Sequence, residues 1–62
     1  MKYRDLIRLL EQDGWKNVRT TGSHRIFHHE SKSGIVVVAG STGRDVPNGT
    51  LNNILKQAGI KR

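Results

Sequence analysis

Cysteine is absent from the 62 residues, which excludes disulfide staples and thiolate chemistry. Secreted domains this small usually need such staples, so their absence points to the cytoplasm. Pro, Trp, Tyr and Phe occur once each, too few rings to serve both a core and an aromatic binding platform. No apolar run approaches the roughly 20 residues that a membrane span needs. Met1-Lys2-Tyr3-Arg4-Asp5 is followed by no apolar segment of the signal-peptide kind. The expectation is a soluble, cytoplasmic chain with no membrane association. Acidic residues are also scarce, 5 against 11 Lys and Arg, for a formal charge of +6. A surplus of that size favours a polyanion through phosphate neutralisation, with an acidic protein as the other kind of partner.

The length implies one domain over residues 1–62. A chain of this size buries only about 60% of the surface its unfolded form exposes. Chemistry must therefore use a shallow surface site. Repeats, linkers and low-complexity segments are lacking. Tyr3, Leu6, Ile7 and Leu10 recur at helical spacing, which predicts a helix over residues 3–13 closed by Gly14. Arg4 and Arg8 lie one turn apart on another face and read as solvated residues paired with Asp5 and Glu11. Three short strands are expected next. Trp15–Thr21 carries Val18, His24–His29 carries Ile26 and Phe27, and Ile35-Val36-Val37-Val38 is the strongest strand signal. Gly22-Ser23 and Ser31–Gly34 supply the turns. Residues 40–49 read as a loop; within it Gly40–Gly43 is no P-loop and reads as a flexible connection, with close approach to a phosphate as the alternative.

A second helix runs to about Ala58, with Leu51, Ile54, Leu55 and Ala58 on its apolar face. Pro47 suits its first turn, Asp45 or Asn48 its N-cap, and Gly59 its C-cap. Lys61-Arg62 is a basic tail. The order α-β-β-β-α predicts an α+β fold: a three-stranded antiparallel sheet with two helices on one face and the other face open to solvent or ligand.

Three histidines, His24, His28 and His29, fall within six residues. On a strand His28 and His29 point to opposite faces. His24 and His28 share a face but stand roughly 13 Å apart. Zinc ligands must lie about 2 Å from one point, so no metal site and no cofactor are expected. One histidine acting in proton transfer fits better. His24 follows Gly22-Ser23 and so sits at the mouth of a tight turn, open to a phosphodiester. RNA carries its own nucleophile, the 2′-hydroxyl, and needs only proton transfer and positive charge. Arg25, Lys16, Arg19 and Arg44 are the candidates for that charge, with Ser23 beside the histidine. An ordinary, partly exposed turn histidine is the alternative for His24. His28 and His29 read as half-exposed strand or turn residues, and Trp15 and Phe27 as core.

Leu6-Ile7-Arg8-Leu9-Leu10-Glu11-Gln12-Asp13-Gly14-Trp15, Gly22-Ser23-His24 with Phe27 behind it, Pro47-Asn48-Gly49-Thr50-Leu51 and Ile54–Ile60 occur in this order and spacing. Together they make the chain resemble the HicA family of type II toxin–antitoxin systems over almost its whole length. The resemblance implies a fold similar to the double-stranded RNA-binding domain. It implies ribosome-independent mRNA cleavage, a catalytic histidine at His24, and a HicB-like antitoxin partner. Family members often carry Pro then His after the third strand; Ala39-Gly40 stand there instead. A non-catalytic RNA-binding module remains the alternative on the same charge and fold.

Overall fold

The computed structural model describes residues 1–61; Arg62 of the basic tail lies outside them. Helix α1 spans Tyr3–Gln12, strands β1, β2 and β3 span Trp15–Thr21, His24–His29 and Ile35–Ala39, and helix α2 spans Asn48–Ala58. The strands form one antiparallel sheet in the order β1-β2-β3. The expected α+β fold is the observed one, with element ends shifted by a residue or so.

Period explains each layer. Tyr3, Leu6 and Leu10 of α1 and Ile54, Leu55 and Ala58 of α2 are buried, the i, i+3, i+4 stripe of an amphipathic helix. Val36 and Val38 alternate with exposed Ile35 and Val37 in β3, although all four are apolar. Side chains two apart on a strand share a face. One face of β3 therefore meets the helices and the other does not. Trp15 and Phe27 complete the core. The Trp15 indole Nε1–H donates to the Ala58 carbonyl at 3.3 Å, tying the start of β1 to the end of α2. Both aromatic residues are packing residues, as expected. Tyr3 joins them, 8% exposed.

Glycine ends both helices as expected. Gly14 follows the α1 cap residue Asp13 with φ +99°, and Gly59 closes α2 with φ +70°, conformations that cost a Cβ-bearing residue. The N-termini differ from expectation. Pro47 is itself the cap residue of α2, and neither Asp45 nor Asn48 caps it by side chain. Asp45 is taken up elsewhere: it bridges Lys2 through the backbone, and their side chains pair at 3.6 Å.

The segment 40–44 is no loose connection. The Tyr3 amide donates to the Arg44 carbonyl at 2.9 Å and the Arg4 amide to the Thr42 carbonyl at 3.1 Å. Two of the amide groups that a helix start leaves unpaired are thus satisfied by this loop. At the other side the Gly40 amide donates to the Ser23 carbonyl at 3.2 Å. The loop thereby links the β1–β2 turn to the beginning of α1.

Candidate functional site

Strand register places the candidates. Residues directly opposite in an antiparallel pair share a face. Thr21, His24 and Ala39 form one cross-strand row, Arg19, Ile26 and Val37 the next, and Lys16, His28 and Ile35 the third. All three rows lie on the face opposite Phe27, Val36 and Val38, away from the helices. His24 is exposed and takes part in no side-chain hydrogen bond among the described residues. It is the first residue of β2, at the hairpin's turn end.

Arg19 reaches that face because of a bulge. Asn17 pairs with Phe27 and Arg19 with Ile26, so Val18 is an extra residue with no partner. A bulge of this kind re-aims the side chains beyond it. Without it the alternation would put Arg19 opposite Arg25, on the helix side. The side chains of Asn17 and Thr20 hydrogen-bond across the bulge, with Asn17 Nδ2 donating to Thr20 Oγ1 at 3.0 Å. Val18 is 63% exposed; it marks the bulge rather than adding to the core.

The structure divides the remaining candidates. Lys16 shares the open face but stands two rows from His24, beside His28, and its ammonium is 3.9 Å from Glu30. Arg25 lies on the helix side of the sheet and donates Nη1–H to the Gly40 carbonyl at 3.1 Å. Ser23 is exposed in the turn, its carbonyl holding Gly40. Arg44 is exposed on the loop that follows β3. His24, Ser23 and Arg19 are thus gathered on or beside one face. Arg25 and Arg44 sit at the same end of the sheet around its rim, and Lys16 lies apart.

The histidines separate sharply. His29 is half-buried, its ring edge-to-face with Trp15 at 5.1 Å between centroids. Its Nε2 is 2.7 Å from the Asp13 carbonyl, which can only accept, so Nε2 carries the proton. Nδ1 accepts from the amides of Ser31 and Lys32, both at 3.1 Å. Both ring nitrogens are committed, and His29 is a structural joint between the end of α1 and the β2–β3 turn. Beside it the Lys32 ammonium meets the Asp13 carboxylate at 2.5 Å and the Ala58 carbonyl at 3.0 Å. The Lys32 hydrogen bond holds the Asp13 carboxyl below its ordinary value. His28 is exposed on the open face.

Gly40 occupies a special position beyond Ala39. Its φ is +150°, and a Cβ there would come within 2.6 Å of Tyr3 Cε2 and Cζ. A larger residue is therefore sterically excluded unless Tyr3 moves. Sequence reasoning also missed Arg4. It was expected to pair locally, yet among the described residues neither Arg4 nor Arg8 forms an ion pair. Its backbone contact with Thr42 links residues far apart in the chain, and no local pattern signals it.

Fold and site together define a class: a small, strongly basic domain with the α-β-β-β-α fold seen in double-stranded-RNA-binding domains, and with an exposed histidine at the rim of its open sheet face. Residues 3–60 match the family model described as the HicA toxin of bacterial toxin-antitoxin, and the chain belongs to that family of toxin–antitoxin toxins. None of the curated proteins compared with it matches.

Proposed function

We propose that the chain acts as one toxin domain, residues 1–62, cleaving mRNA in the cytoplasm without the ribosome and without a metal ion. In this reading a HicB-type antitoxin neutralises it. His24 is the catalytic residue. The observation that carries the reading is the contrast between histidines: His24 is exposed with both ring nitrogens uncommitted, one cross-strand row from Arg19, whereas His29 is spent on structure.

The chemistry follows from what RNA supplies. His24 accepts the 2′-hydroxyl proton as the 2′-oxygen attacks phosphorus, or returns a proton to the departing 5′-oxygen. The P–O5′ bond breaks, leaving a 2′,3′-cyclic phosphate and a 5′-hydroxyl. Arg19 opposes the charge that builds on the phosphoryl oxygens. Ser23, Arg25 and Arg44 hold the flanking backbone, and Lys16 is a more distant contact. The test is cleavage of purified RNA in EDTA, with no ribosomes present. The wild-type chain cuts, and His24→Ala is slower by about 10²–10⁴-fold, the usual worth of a general acid or base. Cleavage that survives loss of the imidazole, or that stops on chelation, rejects the mechanism.

One observation favours a second reading, a module that grips RNA without cutting it. The residues in register with His24 are Thr21 and Ala39, and Gly40 follows, so its own row brings no second acid–base side chain beside it. RNA recovered intact after long incubation with the wild-type chain decides for that module.

A further inference from the structure

We propose that loop 40–44 and Arg4 form a second phosphate-binding subsite, which takes the phosphate of a nucleotide next to the one at His24. The inference rests on the reading that RNA is the ligand. Three observations converge on it.

The first is charge. Among the described residues, the ion pairs are Lys2–Asp45, Lys16–Glu30 and Lys32–Asp13. Arg4, Arg25 and Arg44 have no carboxylate partner among those residues. Arg25 reaches the Gly40 end of the loop through its 3.1 Å hydrogen bond. Arg4 reaches the other end, where its Nη2 lies 3.8 Å from the point a Cβ on Gly43 would occupy. Arg44 belongs to the loop itself. Of the acids next to these arginines in the chain, Asp45 is engaged by Lys2 and Asp5 forms no ion pair with Arg4 among the described residues. Cations gathered around one loop without an ion-pair partner repel one another, and a bound anion relieves them.

The second is the backbone. The amides of Gly40 and Arg44 are used, donating to Ser23 and Ser41. Those of Ser41, Thr42 and Gly43 donate to no acceptor among the described residues. Three consecutive N–H groups without an acceptor, on an exposed loop with two glycines, are donors that phosphate oxygens can take up. The Ser41 and Thr42 hydroxyls add further exposed donors.

The third is placement. The loop is stitched to the His24 turn by the Gly40–Ser23 hydrogen bond and to α1 by the Thr42–Arg4 and Arg44–Tyr3 bonds. Tyr3 fills the space beside Gly40. The donors are therefore pre-ordered at a fixed distance from His24. A strand of RNA crossing the sheet rim passes from the open face, where His24 and Arg19 stand, to the start of α1.

An eight-nucleotide single-stranded RNA, with one phosphate at a time replaced by a neutral methylphosphonate, tests this. Binding is measured to His24→Ala, which spares the RNA, and to the same protein carrying Arg4→Ala or Arg4→Lys. One position is expected where neutralisation weakens binding about tenfold with Arg4 present and hardly at all with Ala, Lys restoring most of the difference. The slope of log K against log salt becomes shallower by about 0.7 in the Ala variant. In the His24→Ala protein that keeps Arg4, the amide signals of Ser41, Thr42 and Gly43 shift on adding the unmodified RNA, a readout independent of how Arg4 variants fold. Identical neutralisation profiles with and without Arg4, together with unmoved loop amides, overturn the subsite. If that happens while wild type still cleaves, the nuclease reading stands alone. If the subsite signature appears in a protein that cleaves nothing, the nuclease reading falls and the subsite stands. RNA that does not bind at all sinks both.

Discussion

At the scale of single residues, similar side chains have opposite fates because of what surrounds them. His28 and His29 are neighbours in sequence, yet one faces solvent and the other joins two segments through both nitrogens. His29→Ala leaves the Asp13 carbonyl and the Ser31 and Lys32 amides without their partner and opens space against Trp15. The expected loss is about 2 kcal/mol by urea unfolding, against almost none for His28→Ala. Asp13 gives a pH prediction. Its folded-state pKa is lowered, chiefly by the Lys32 hydrogen bond, from an ordinary value of 3.8. Its contribution is therefore present above the unfolded value and disappears as pH falls through the folded one. Melting temperature followed from pH 6 to pH 2 should drop in the acid range for the natural chain. Asp13→Asn should flatten part of that drop. An unchanged profile in the Asn variant removes Asp13 from the acid response.

At the scale of elements, period was legible and register was not. The helical stripes of α1 and α2, the two closing glycines and the apolar run of β3 are local patterns, and the structure realises each of them. The bulge at Val18 is different. It is set by how β1 pairs with β2, and Val18 by itself reads as a strand former. The N-cap choice at Asp45 failed for a similar reason, since Lys2 draws that side chain from across the fold. His24 stood out through its glycine-flanked turn, whereas Arg4 did not, because the loop beside it comes from far along the chain. The bulge has a testable consequence. Deleting Val18 removes the unpaired residue yet leaves Asn17 opposite Phe27 and Arg19 opposite Ile26, so Arg19 keeps the open face. RNA affinity should then fall far less than in Arg19→Ala, and Val18→Ser, which keeps the extra residue, should leave it unchanged. A loss in the deletion as large as in Arg19→Ala would show that the bulge itself, and not only the face Arg19 takes, orients a ligand contact.

At the scale of the whole molecule, the formal charge of +6 is not one uniform field, because some cations are neutralised within the fold. Lys32 is held by Asp13 and by the α2 end carbonyl, half-buried against the protein. Among the described residues, Arg19 on the open face and Arg4 at the rim have no carboxylate partner. Net charge steers any polyanion towards the surface, but only an unpaired cation can exchange its counter-ions for phosphates. The two sets therefore separate under mutation. Lys32→Met should lower the urea midpoint, since it strands the Asp13 carboxylate and leaves the Ala58 carbonyl with only the Trp15 indole as donor, yet leave the salt dependence of RNA binding almost as it was. Arg19→Ala should do the reverse: stability within about 0.5 kcal/mol of the natural chain, and a slope of log K against log salt shallower by about 0.7, one single-strand phosphate contact. Both variants have the same net charge. If the slope falls equally in both, total charge governs RNA binding and the arrangement of cations around His24 has no special role.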